Sequence, residues 1–538
     1  MFRETSPQSS FFEAQNIAPD LLPEDDWSHT YREKIYPLID EDKFRHLFEE
    51  EGGAPNKSVK RTVSILIFMS MEKFTWRGAE FQYRRRLDWQ NATYTPLGEA
   101  KIDHTTLFKF YRRLEEDDTA MEFFQELTRK FADICGTSLK KQRTDSYFVH
   151  GWLKLLSRYG LFKETIRIFL QNLRKQKPGL YEKISPELSR NYLEKEFDLT
   201  EKDHEEAHRQ IKLMARDLYL LRQAFANHKQ VRHYTSFKTL ATVLNQQCEI
   251  AEGEEIDSPE IIIREKPAGE NIICSPHNTD ARYTRKGEQK VTGHRGFATE
   301  TCDKSNKTQF ITDAGFVNGK TILDSEEKGI SLEGPSSGRS QSFESFQAPD
   351  RPLDIADFDV SIDENSGELT VNSCPAKQTP LDQNRSSRTG KILVHFSPDV
   401  CSSCKLKGRC PVKIGKRVST LNIDEAAYAG AARHHKYMND KDYRKKCSIR
   451  AGAEGMVSEL VRKHGVRRAR HRTEKRTGLQ LIFAAIACNV KRFMAHGQNY
   501  GYLEPVRAKN AICSFFCRKI EGLLRFRLRY SATNRSMS

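Results

Sequence analysis

Strand-like alternation is confined to a few short stretches of this chain, and they lie far apart. Gln142 to His150 is one; Lys290 to Glu300 and Thr308 to Ile311 follow only after a long helical interval. Leu369 to Val371 and Ile392 to Phe396 come later still. Period-two patterning puts alternate side chains on opposite sheet faces, so a sheet in this chain has to draw on segments with helical sequence between them. Leu153 to Leu173 has helical periodicity, and Glu182 to Gln247 is helical and densely charged, reading as an inserted hairpin. Glu252 to Asn271 is acidic and then Pro/Gly-bearing, the mark of a linker.

Before the first strand the pattern is helical. Asp40 and Asp42 precede an apolar stretch that stops at Gly52-Gly53; Ser58 to Phe74, Gly78 to Trp89 and a segment from Asp103 follow. Short helices without strand signal suit a helix-turn-helix-like module. Arg84-Arg85-Arg86 within it has two open readings, a phosphate contact or a solvated helix face.

Composition narrows the partner. The chain has 538 residues, enough for two or three compact units, with 37% hydrophobic and 30% charged residues and a net charge of +15. Such an excess points to a polyanion, nucleic acid first, against a merely solvated basic surface. No apolar run reaches the roughly 18 residues of a membrane span; Leu479 to Val490 reads as a buried helix. Met1 to Asp20 has no apolar core, so no secretory signal is expected and the expected location is cytoplasmic. Clustered cysteines then mean metal, and scattered ones packing.

Three segments carry acids in informative settings: Arg143-Thr144-Asp145-Ser146, Phe310-Ile311-Thr312-Asp313-Ala314-Gly315-Phe316 and Arg450-Ala451-Gly452-Ala453-Glu454-Gly455. Phosphodiester transfer benefits from two divalent cations roughly 3.5–4 Å apart, and magnesium prefers carboxylate oxygens. Singly, each acid has an ordinary alternative: Asp145 capping a turn, Asp313 starting one, Glu454 complementing a helix amino terminus.

Taken together, these segments resemble the DDE transposases of bacterial insertion sequences, the group with a helical amino-terminal domain and a cysteine-bearing insertion. The likeness begins at Leu21-Leu22-Pro23-Glu24-Asp25-Asp26-Trp27 and continues through Thr144-Asp145-Ser146, Leu161-Phe162-Lys163-Glu164-Thr165-Ile166 and Asp280-Ala281-Arg282-Tyr283. It runs on through Thr299-Glu300-Thr301-Cys302-Asp303 and Asp313-Ala314-Gly315-Phe316 to Gly465-Val466-Arg467-Arg468-Ala469-Arg470, in one order over most of the chain. The resemblance implies an α/β (α+β) fold: an RNase H-like core with Asp145, Asp313 and Glu454 binding magnesium or manganese. It implies cleavage and strand transfer on double-stranded DNA, element ends and target, by a homodimer or larger assembly.

The sequence also departs from that family. In its Tyr-x-x-Arg-x-x-x-Glu-x6-Lys/Arg signature, Arg450 and Glu454 match, with Arg450 a candidate phosphate contact. Cys447 stands in place of the tyrosine and Val461 in place of the later base, with Arg462 one place on. Only nine residues separate Asp303 from Asp313, where family members carry a strand and a helix. Because a parallel crossover takes about a dozen residues, this reads as an internal deletion, and the alternative function is a catalytically impaired remnant that only binds DNA.

Cys401-Ser402-Ser403-Cys404, Cys410 and the upstream Cys374 offer four thiolates, a zinc-ribbon-like set for structural zinc; a reduced, metal-free cluster is the other reading. Arg462, Lys463, Arg467, Arg468, Arg470 and Arg472 crowd the segment after Glu454 and suit a DNA path, with His464 and His471 read as surface residues. A third reading, a zinc-ribbon RNA-binding protein, does not explain the collinear acids. The expected plan is a flexible 1–24, a helical 25–135 and a first core part 136–345 with its helical insertion at 180–250. A Cys-rich 346–420, a core carboxy-terminal part 421–500 and a basic tail 501–538 complete it.

Overall fold

The structure is a computed structural model, and it describes residues 2–5, 10–49, 55–151, 156–194, 203–251, 260–269, 271–286, 289–303, 309–311, 316–336, 342–363, 368–387 and 389–502. Along the chain the helices are α1 (Val59–Glu72), α2 (Trp76–Arg85) and α3 (His104–Arg113), then strand β1 (Lys141–His150). Helices α4 (Arg158–Gln176), α5 (His204–Phe225) and α6 (Thr235–Gln247) precede strands β2 (Arg282–Lys286), β3 (Gln289–Asp303) and β4 (Gln309–Ile311). Next come α7 (Gly319–Glu326), β5 (Ser331–Glu333), β6 (Asp359–Ile362), β7 (Leu369–Ser373), β8 (Asp382–Arg385), β9 (Ile392–Phe396) and β10 (Ser419–Ile423). The chain closes its described part with α8 (Glu425–Asn439), α9 (Lys441–Ser448), α10 (Gly452–His464) and α11 (Glu474–Tyr500).

Side-chain caps decide where many helices start. Ser58, Thr75 and Asp103 accept from the backbone N–H of Arg61, Gly78 and Thr106, and Asp203, Asp424 and Asp440 do the same for α5, α8 and α9. The helix expected over Gly78 to Trp89 is broken at Arg86, whose backbone is extended (φ −92°, ψ 124°). That break swings the Arg86 guanidinium between Glu72 and Asp88, so it forms ion pairs inside the fold.

By its contacts the chain divides into two units. The first joins Met1–Phe131, Phe148–Gly296 and the residues from Leu460 on. Here α11 packs along α1, burying Leu479, Phe483, Ile486, Ala487 and Val490, while Lys491 Nζ donates to the Met71 carbonyl at 2.8 Å. Helix α11 is long and apolar enough to cross a bilayer, but 56% of its apolar window is buried in the fold, the mark of a core helix. Helices α4, α5 and α6 share a second core in the same unit, with Phe162, Phe169, Leu218 and Leu240 fully buried.

The second unit joins Ala132–Tyr147 and Phe297–Glu459. Strands β1, β4 and β5 run parallel, with Arg143 opposite Ile311 and Ile311 opposite Glu333. The full strand order is β2-β3-β1-β4-β5. Thr144 Oγ1 donates to the Ala298 carbonyl at 2.8 Å and Cys302 Sγ to that of Lys141 at 3.7 Å. Numbers rise on one strand as they fall on the other, so β3 is antiparallel to β1. The connection from β3 to β4 thus joins antiparallel strands, and the dozen-residue minimum of a parallel crossover, on which the internal-deletion reading rested, does not apply to it. An antiparallel β3 finishes beside the start of β1, where β4 also starts, and only residues 304–308 intervene.

Helix α7 lies so close to α8 that a Cβ on Gly319 would stand 1.5 Å from the Ala426 carbonyl oxygen. Strands β8, β9 and β10 form an antiparallel sheet, and β6 pairs with β7. Val371, Val394, Phe396, Leu421 and Ile423 fill the core between them, with Cys374, Cys401 and Cys410 packed at its edge.

Candidate active site

Asp145 sits half-buried on β1 and accepts a hydrogen bond from the Ser146 N–H at 2.8 Å. Alternation along a strand gives it the same face as Arg143. The Arg143 guanidinium is a junction. Its Nε and Nη2 lie 2.9 and 2.8 Å from Glu300 Oε1 on β3, and its Nη1 donates to the Ile449 carbonyl at 3.0 Å. Ile449 opens the turn leading into α10, and Glu454 lies in that helix's first turn. Gly452 abuts the same guanidinium: a Cβ there would lie 1.9 Å from Arg143 Nη1. One cation thus fastens the strand bearing Asp145 to the helix bearing Glu454.

Glu454 is solvent-facing, with its side chain 66% exposed, and Arg450 Nη2 stands 3.9 Å from its Oε1. Asp313 lies outside the described residues, as does the basic tail beyond Tyr502. Sequence reasoning missed Glu333, which ends β5 with its side chain only 7% exposed. Burial favours its neutral form, but Lys446 Nζ at 2.9 Å, Ser331, Tyr443 and Arg433 outweigh that and hold the carboxyl below its usual range. Its signal was Leu332-Glu333-Gly334, an apolar strand delivering an acid to a glycine, as in the segment of Asp313. Cys447 is buried, and one turn earlier Tyr443 Oη accepts from Gly334 N–H at 3.2 Å and Arg433 Nη1 at 3.1 Å.

Residues 373–494 match the family described as a transposase DDE domain, and residues 20–113 match that described as a transposase domain (DUF772). Both matches support a DDE transposase of the insertion-sequence type. No curated protein matches it, and no solved structure does. The DDE match takes in Arg450 and Glu454 and, at its other end, the cysteines. A DDE domain implies an RNase H-like core and dependence on divalent metal, and the transposase family implies DNA substrates.

In this transposase the four clustered cysteines are half-buried and carry no disulfide. Burial pushes the Cys401 and Cys410 thiols up, and both feel Cys374 and Cys404. Backbone N–H groups point at the sulfurs: Leu406 N donates to Cys404 Sγ at 3.4 Å, and Val412 N to Cys410. Two residues on from its cysteine, each such N–H stabilises negative charge on sulfur. The described groups whose potential ligand atoms already lie within 4.8 Å of one another are elsewhere; one is Asp354, Asp357 and His435. Arg351 grips Asp357 through both oxygens, which marks that group as an ion-paired cap.

The basic segment is mostly solvent-facing. Arg462, Lys463, Arg467, Arg468 and Arg472 are exposed. Arg470 is also exposed, but its guanidinium donates to the Phe74 and Lys73 carbonyls at 3.0 and 3.3 Å. The two histidines are not surface residues. His464 is buried with Nδ1 3.2 Å from the Ser70 carbonyl, and His471 stacks on Tyr111 with centroids 5.3 Å apart.

Proposed function

We propose that the protein catalyses DNA transposition by metal-dependent cleavage and strand transfer at its element's ends, with Asp145, Asp313 and Glu454 as the ligands of magnesium or manganese. The observation that carries this reading is the Arg143 junction, which ties the strand of Asp145 to the helix of Glu454. Arg143 pairs with Ile311, and in the sequence Asp313 follows Ile311 by two residues, as Asp145 follows Arg143. Hard carboxylate oxygens suit these cations, and among the described residues Asp145 takes part in no ion pair, so its oxygens are available. When bound, the metal activates the attacking water or 3′-hydroxyl and stabilises the leaving oxygen.

The chain's own residues do the rest. Arg450 contacts a phosphate beside Glu454, and Arg462, Lys463, Arg467, Arg468 and Arg472 neutralise the backbone of the bound duplex, with Arg470 contributing less because it is committed to carbonyls. Cys374, Cys401, Cys404 and Cys410 hold a structural zinc, a closed site with no open position for chemistry. Synapsis of two ends calls for a homodimer or larger assembly. Incubation with duplexes carrying the element's termini, in magnesium or manganese, tests the reading. Wild type should nick and join them while Asp145→Asn should not; equal behaviour of the two proteins would overturn it.

A further inference from the structure

We infer that the outer face of α2 is a DNA-contacting surface in its own right, in which Arg77, Arg84 and Arg85 engage phosphates and Phe81 packs against sugar and base edges. The inference rests on the DNA-handling function proposed above. In α2 the inward face buries Ala79 and Tyr83, while Arg77, Phe81, Arg84 and Arg85 are exposed. Spacings of four, three and one put these four side chains on one helical stripe.

Neighbouring α3 repeats the pattern, with Leu107, Phe110 and Tyr111 buried and Lys109, Arg112 and Arg113 exposed. The two helices pack through Trp76, whose ring lies 5.6 Å from Phe108 and 5.1 Å from Tyr111. Glu80 is the one acid in either helix, and it is engaged by the His104 N–H at 2.9 Å and by Arg84 at 2.7 Å. Arg77 and Arg85 form no ion pair among the described residues. With only Arg84 paired to an acid, the stripe keeps a net cationic excess at Arg77 and Arg85, which selects a polyanion as occupant.

Phe81 separates this face from an ordinary solvated one. Its side chain is 52% exposed, and the Arg85 guanidinium lies 3.8 Å above the ring centroid. Stacking holds a planar fork donor out from the helix, so fewer rotamers are lost when it meets a phosphate. Duplex DNA fits both halves of the pair, with charged oxygens for the guanidinium and apolar sugar and base edges for the ring.

The test is fluorescence anisotropy of a labelled terminal duplex with the full chain over a series of KCl concentrations. Arg77→Ala and Arg85→Ala should each weaken binding and lower the salt slope by about 1. Phe81→Ala should weaken binding roughly tenfold at every salt concentration with the slope kept, and Phe81→Trp should restore it. Circular dichroism establishes that the variants are folded. Variants that bind with wild-type affinity and slope would overturn the inference while leaving the proposed function intact; a wild-type chain that binds no duplex would instead overturn the function.

Discussion

Replacing Gly452 with alanine tests whether Arg143 joins the strand of Asp145 to the helix of Glu454. The new Cβ would stand 1.9 Å from Nη1 and 2.2 Å from Cζ of Arg143, so the guanidinium has to leave. Its departure breaks the bond to the Ile449 carbonyl and the ion pair with Glu300, whose side chain is only 12% exposed. Charged hydrogen bonds contribute about 1.5–3 kcal/mol each, and breaking a largely buried pair costs about 3–5 kcal/mol. With Arg143 itself 23% exposed, solvent softens the loss, and we expect a net cost of about 2–4 kcal/mol. Hydrogen exchange read by mass spectrometry on peptides covering β1 and residues 441–464 would register this as a fall in protection of roughly 30-fold or more. Arg143→Ala should give a similar fall. Once the guanidinium is gone the methyl group has room, so Gly452→Ala in the Arg143→Ala background should add nothing, apart from a small gain in helix propensity of up to about 1 kcal/mol. Additive losses in the double variant, or wild-type protection in Gly452→Ala, would refute the account.

Two further outcomes follow from the same structure. Burial, with Arg476 and Arg470 close by, pushes His471 down to about 4, against about 6.5 when unfolded. The unfolded chain therefore binds more protons between those values, so stability present above about pH 6.5 is lost as pH falls towards 4. Melting curves across that window, followed by fluorescence of nearby Trp76, should show the decline, and His471→Phe should flatten it; an unchanged pH profile would count against this assignment. Purified protein should carry one equivalent of zinc that Cys404→Ser loses, and metal-free wild type would exclude the zinc site.

Local features of the fold were legible in the sequence because local chemistry controls them. Ser58 and Asp103 announced helix starts that the backbone adopts, and the apolar run from Leu479 did prove to be a core helix. Asp145 and Glu454 stand on a strand and in a first helical turn, as their flanking residues suggested. What joins them was not legible. The Arg143 bond to Ile449 spans 306 residues, and nothing in Arg143-Thr144-Asp145 distinguishes a phosphate-binding arginine from a tying one. The burial of His464 and His471 has the same origin, since their partners Ser70 and Tyr111 lie hundreds of residues upstream.

The short connection before Asp313 shows how a sound rule misleads when its premise is not met. A dozen residues are needed when a strand returns to a parallel neighbour, because the chain must travel back along the full strand length. Here the preceding strand, β3, is antiparallel to β1 and has already made that return. What remains is the sideways step past β1 to β4, two strand spacings or about 10 Å. A five-residue segment, at about 3.3–3.6 Å per residue when extended, is long enough for such a step. A chain shortened at this point can therefore still lay β4 beside β1 in parallel register. Whether such a copy cuts DNA then depends on chemistry at Asp145 and Asp313, since the connection's length does not forbid it.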